Sequence, residues 1–261
     1  MSSSSSPSCP PGRRQFWYGF RSLIPVDLIK NDVSLADMDN IGLISDMCHQ
    51  LDMDFTVFPT SAILYHRFCG SAHSDNQNLQ MVAYCCVFLS AKLAEDPRPL
   101  RDIINLSTIL VGCKTTTTNE MYWKTKAQLI DLEQLILRVL HFDVEIQLPY
   151  AFLFNYCRSL RCGGPFVQLA MHFVHDIYYI PQCLQYPPYV IAVASIYMAQ
   201  RIHKHVSLPP AWHHAFDTSE ADLDAIVELF CIVYSTLDKK KRRRASASAC
   251  SQGDEQHVDS R

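Results

Sequence analysis

Asn78-Leu79-Gln80-Met81-Val82-Ala83-Tyr84-Cys85-Cys86-Val87-Phe88-Leu89-Ser90-Ala91-Lys92-Leu93-Ala94-Glu95 is the stretch that decides the fold. It is too long for a single strand and shows no two-residue alternation. Wound as a helix it is apolar on every side until Lys92, and Pro97 and Pro99 stop it just beyond. A helix that is apolar all round has to be enclosed by other helices.

Neighbouring segments supply them. Upstream, Ile41, Ile44, Met47, Cys48 and Leu51 fall on one helical face, and Pro59 opens a further helix over 60–69. Downstream, Leu100, Ile103, Ile104, Ser107 and Leu110 outline a short helix. The four threonines within 112–119 read as a loop, and Met121 to Leu140 as the longest helix, closing at His141-Phe142-Asp143. After Pro149 the pattern restarts, with helices expected at 150–160, 166–179, 189–203 and 222–237. Each half places short helices around one apolar helix, which suggests a duplicated helical domain. The expected fold class is all-α, with two tandem helical domains of about five helices each. The expected limits are a disordered or loosely docked leader at 1–32, a first domain at 33–145, a second at 146–238 and a disordered basic tail at 239–261. Within the leader, Phe16-Trp17-Tyr18 are expected to dock on the chain's own first domain.

The bulk numbers exclude several classes. A net charge of −3 gives no global field for nucleic acid. Eleven cysteines, an odd number without a C-x-x-C pair, fit reduced core residues of an intracellular protein better than a disulfide framework. The start of the chain has no apolar signal-peptide core, and no apolar run is long enough to span a bilayer. With eight glycines the chain has no G-x-G-x-x-G and no G-x-x-x-x-G-K-[ST] phosphate cradle, and it has neither H-E-x-x-H nor G-x-S-x-G. These absences favour a binding protein over an enzyme. His172, His175, His203, His205, His213 and His214 gather late in the sequence, but their spacing matches no zinc finger and solvated or core roles account for them. Neither a metal nor a cofactor is expected.

Two charges are out of place. Glu133 falls within the apolar arc that Leu129, Ile130, Ile136, Leu137, Val139 and Leu140 draw on the helix 121–140. A carboxylate there costs several kcal/mol unless it is paired or hydrogen-bonded. Lys92 lies angularly between Met81, Cys85 and Phe88. It could snorkel from the last turn toward the negative end of the helix, pair with Glu133 inside the fold, or meet a partner protein.

Phe88-Leu89-Ser90-Ala91-Lys92-Leu93-Ala94-Glu95, followed by Leu132-Glu133-Gln134-Leu135-Ile136-Leu137-Arg138-Val139-Leu140-His141-Phe142-Asp143, closely resembles the third and fifth helices of the cyclin box. The resemblance covers about 40–237 and is best in the first domain. It implies two cyclin-box domains and a regulatory subunit that is not itself an enzyme. Such a subunit binds a cyclin-dependent kinase and presses the kinase's regulatory helix inward, so that the helix glutamate pairs with the ATP-binding lysine. By this resemblance Lys92 and Glu133 bond the kinase backbone just before that helix. Leu89, Leu93, Leu137, Phe142 and Val144 receive the helix, and Glu95, which keeps the second of two family glutamates, also belongs to the kinase-binding set.

More narrowly, Tyr65-His66-Arg67-Phe68, Arg101 to Ser107, Leu137 to Leu140, Ile191 to Tyr197 and Trp212 to Phe216 are similar to the cyclin-Q group, related to the transcription-associated cyclins L, K and T. That similarity implies a cyclin-dependent kinase 10-like partner; the lack of a spanning apolar run and the near-neutral net charge separately argue against a membrane and against nucleic acid as partners. The chain departs from the family at Ala94, where many cyclins carry the first of two glutamates, and in 41–51, which lacks the pattern that docks R-x-L substrates. A competing reading is a two-repeat factor like the core of transcription factor IIB, binding nucleic acid and transcription machinery. That reading requires a basic face across the repeats.

Basic residues concentrate instead at Lys239-Lys240-Lys241-Arg242-Arg243-Arg244. The run reads as a nuclear-import signal, a phosphate-contacting segment or a merely solvated tail; import is the expectation, so the protein is expected in the nucleus, with a cytoplasmic pool also allowed. Ser246 follows Arg243-Arg244-Ala245 and fits a basophilic-kinase acceptor whose phosphate would offset the run.

Overall fold

Asn78 caps the enclosed helix in the computed structural model, which describes residues 35–110, 119–203, 206 and 208–255. Its side chain accepts from the Gln80 N–H, and the helix runs Leu79–Leu93. Nine α-helices occur among the described residues, and no strand: α1 Leu35–Gln50, α2 Val57–Cys69, α3 Leu79–Leu93, α4 Leu100–Leu110, α5 Asn119–Val139, α6 Tyr150–Ser159, α7 Gly164–Asp176, α8 Pro188–Ile202 and α9 Glu220–Glu255. The leader 1–32, with Phe16-Trp17-Tyr18, lies outside the described residues, as does nearly all of the threonine loop. No described helix is long and apolar enough to cross a membrane.

α3 packs against α1, α2, α4 and α5, and α8 against α6, α7 and α9. The two enclosed helices are therefore the axes of two successive bundles. Val82 to Val87, Leu89, Ser90 and Ala91 are buried in α3, and Val190 to Ile196 in α8. Polar residues survive inside by turning back on their own helix. Ser61 Oγ donates to the Val57 carbonyl at 2.7 Å, and Ser195 Oγ to Ile191 at 2.8 Å. The cysteines of the described residues are free thiols, most of them buried.

The second bundle departs from five helices. The expected helix 166–179 ends at Asp176, and short 3-10 turns follow at Ile177–Tyr179, Pro181–Gln185 and Trp212–Phe216. Pro181, Pro187, Pro188, Pro209 and Pro210 deny the backbone donors that a continuing α-helix needs. The described part of the tail, 239–255, is helical where disorder was expected. The α9 backbone continues through the basic run to Glu255, about five turns past Leu237, its last large apolar residue. Lys, Arg and Ala are strong helix formers, so an established helix propagates through them without an apolar face.

One bond crosses between the bundles in the buried interior. His66 Nε2–H on α2 donates to the Tyr178 carbonyl at 2.9 Å. Beside it, the Phe58 ring stacks on His175 with centroids 4.0 Å apart. A single core cluster runs through both bundles.

Candidate functional site

α3 and α5 pack side by side, and both end in the same way. Each backbone turns left-handed at a residue that is not glycine, Glu95 (φ 57°) after α3 and His141 and Phe142 (φ 53° and 59°) after α5. The following amides close the ends by reaching back five residues. Asp96 N–H donates to the Ala91 carbonyl at 3.0 Å, and Phe142 N–H to Leu137 at 2.8 Å. Three further bonds fix these ends. Asp96 accepts from the Asp54 N–H at 3.1 Å, while Arg98 donates to the Asp52 carbonyl at 2.8 Å. Arg67 donates to the Asp143 carbonyl at 3.2 Å.

Between the two helices the misplaced charges meet. Lys92 Nζ lies 2.6 Å from Glu133 Oε1, with side chains 43% and 16% exposed. The ammonium also sits 3.9 Å over the Phe88 ring. Of the readings open for Lys92, the free chain shows the pairing with Glu133. The pair is not deep in the core, because the lysine stem leaves α3 at its last turn and carries the charge to the surface.

The other expected residues divide by depth. Phe142 is 67% exposed and Leu93 39%, both large apolar groups facing water. Glu95 is exposed, and Leu137 and Val144 are half-buried against the core. Leu89 is buried, so in the free chain it supports the patch from beneath instead of lining it. The α5 face is also rotated from the expected arc. Leu129, Leu132 and Ile136 are buried while Ile130 is exposed, which moves Glu133 to the border of the apolar stripe. Phe88 was not singled out, because an aromatic in an apolar run carries no mark of a cation above it. The side chains from Lys240 onward, including Ser246, lie outside the described side chains, and Lys239 is exposed.

The surface at the ends of α3 and α5 therefore combines a mutually paired lysine and glutamate with exposed Leu93, the last residue of α3, and exposed Phe142 on a strained, tied-down turn. Nothing in it resembles a nucleophile and base in contact. It is suited to gripping a partner: polar groups that can exchange bonds, within apolar area that gains from being covered.

Comparison with known proteins agrees with this architecture. Residues 38–145 match the family described as Cyclin, N-terminal domain, and 148–257 match Cyclin, C-terminal domain. Among relatives, cyclin-T1-4 of Arabidopsis thaliana is 28% identical over 237 residues, covering 84% of this chain and 42% of its own. Cyclin-L1 of Homo sapiens is 30% identical over 177 residues, covering 64% of this chain and 34% of its own. The chain thus spans well under half the length of these relatives. Among solved structures, the yeast RNA Pol II CTD kinase CTDK-1 complex aligns with a TM-score of 0.61 at 19% identity, over 73% of this chain and 62% of that one. A viral cyclin from herpesvirus saimiri aligns at 0.57 and 18%, over 80% and 87%. Two tandem matches covering both bundles leave one assignment: the chain belongs to the cyclin family.

Proposed function

We propose that this chain is the regulatory subunit of a cyclin-dependent serine/threonine kinase and activates it by positioning the kinase's regulatory helix. The observation that carries the reading is the Lys92–Glu133 pair at the surface beside exposed Leu93 and Phe142. Lys92 and Glu133 exchange part of their mutual bonding for the kinase backbone ahead of the helix. Leu93, Phe142, Leu137 and Val144 cover the helix itself, Leu89 backs them, and Glu95 lies at the edge. Phosphoryl transfer stays with the kinase, and this chain supplies geometry.

Within the family we assign the chain to the cyclin-Q group, with a cyclin-dependent kinase 10-like partner. Support comes from the sequence segments similar to that group and from relatives among cyclins T and L. The same relatives support a nuclear protein, with Lys239 to Arg244 as the import signal and Ser246 as a phosphorylation site that modulates it.

Purification of the full chain from native cells, with identification of its stoichiometric partner, tests the reading. A kinase is expected. Transcription machinery and DNA without a kinase would support the competing factor instead. With the kinase in hand, Glu133→Ala and Lys92→Glu are each expected to weaken binding by about 2–5 kcal/mol. Equal binding by the wild type and both variants would refute the site.

A further inference from the structure

The turn Trp212–Phe216 leads into α9 and carries adjacent histidines. Left-handed residues bracket it, Ala211 at φ 54° and Asp217 at φ 53°, neither a glycine. Side chains on both flanks hold it rigid. Trp212 Nε1–H donates to Gln200 Oε1 at 3.2 Å, and Phe216 stacks on Tyr156 with centroids 4.1 Å apart. Backbone strain that surrounding contacts maintain is characteristic of a functional turn.

Within it, His213 is buried and its Nδ1–H donates to the Thr218 carbonyl at 3.2 Å. That bond places a proton on Nδ1, so in the neutral ring the lone pair is on Nε2. A backbone carbonyl on one ring nitrogen is the usual support for a histidine whose other nitrogen binds a metal. The His214 ring lies against it at 4.3 Å between centroids. Glu220 stands in the first turn of α9, where a carboxylate would ordinarily serve to cap the helix. That role is already filled. Ser219 Oγ accepts from the Asp222 N–H at 3.2 Å, and Asp222 Oδ2 accepts from the Ser219 N–H at 3.3 Å and from its hydroxyl at 2.6 Å. One ligand atom from each of His213, His214 and Glu220 lies within 4.8 Å of the others.

We propose that His213, His214 and Glu220 form a zinc(II) site. Two imidazoles and one carboxylate suit a borderline divalent ion, and three protein ligands leave a fourth position for water or another group. Hard oxygen-seeking ions such as magnesium find only one oxygen ligand here. The ion ties the turn 212–216 to the start of α9, so binding it stabilises the second bundle by linkage. This inference stands apart from the kinase reading, since the residues involved lie on other elements than Lys92 and Glu133.

The test uses the full-length chain, stripped with chelator and kept reduced. Zinc is titrated calorimetrically, and cobalt(II) serves as a spectroscopic probe for tetrahedral coordination. One zinc per chain is expected, with a visible cobalt band, no response to magnesium and a Tm rise of about 5 °C under saturating zinc. His214→Ala and Glu220→Gln alter exposed side chains, and each is expected to weaken zinc binding by about 10–100-fold while keeping the wild-type helical circular dichroism. His172→Ala, at an exposed histidine elsewhere, is expected to bind as the wild type does. Zinc bound as tightly by His214→Ala and Glu220→Gln as by the wild type, or no zinc bound by any of them, would overturn the proposal.

Discussion

Lys92 Nζ stands 2.6 Å from Glu133 Oε1, and this contact joins the last turn of α3 to the C-terminal part of α5 where both helices reach solvent. The lysine is well exposed, so the pair adds little to folding, about 0–1 kcal/mol. A partner that excludes water from it makes the same groups far more consequential. Lys92→Ala is therefore expected to shift the urea midpoint only slightly while weakening kinase binding clearly. Stability and binding falling together in proportion would show that the pair serves the fold.

Phe142 separates stability from binding in the opposite direction. Its φ of 59° is a conformation that glycine adopts more easily, and its ring is 67% exposed. Phe142→Gly is expected to keep stability or raise it by about 0.5–1 kcal/mol, while kinase affinity drops. Thermal melts and binding titrations on one preparation check both halves. Undiminished affinity would remove Phe142 from the interface.

Acid should loosen the joint between the bundles. Burial pushes the His66 imidazole down from 6.5 to about 4, outweighing the raising effect of its bond to the Tyr178 carbonyl. The folded chain therefore holds it neutral where the unfolded chain takes up a proton. Its contribution is complete above about pH 6.5, falls as the pH drops toward 4, and amounts to about 3 kcal/mol. His175 is pushed the same way by burial first and by His172 second. Asp176, whose carboxyl burial raises, works in the opposite sense. Denaturant midpoints measured between pH 7 and pH 4 should decline, and His66→Gln should flatten the decline. An unchanged slope in His66→Gln would exclude this origin.

Phe58 is 1% exposed and stacks on His175 across the same joint. Phe58→Ala is expected to cost about 3–5 kcal/mol through the cavity it leaves. Hydrogen exchange should rise in both α2 and α7. Exchange rising in the first bundle alone would show that the two bundles are not energetically coupled there.

How much of this was legible in the sequence varies with the kind of information involved. Helix class and order could be read because an all-apolar helix between prolines, repeated at 78–95 and 189–203, has few stable solutions. Lys92 and Glu133 were visible as charges on apolar helices, for the same reason of cost. The long reach of α9 was not legible, since a basic run has no apolar period to read, although its residues favour helix.

Residue order alone dictated that helices would enclose two apolar axes and that two charges lay against the grain of their faces. Only the tertiary structure decided that these charges meet each other at the surface, that Leu89 lies inside while Phe142 points out, and that Glu220 approaches His213 and His214. Periodicity states which face of a helix is apolar within a few tens of degrees. The rotation of α5 against α3, the left-handed turns and the bond from His66 to Tyr178 depend on how distant segments pack, which no local pattern encodes.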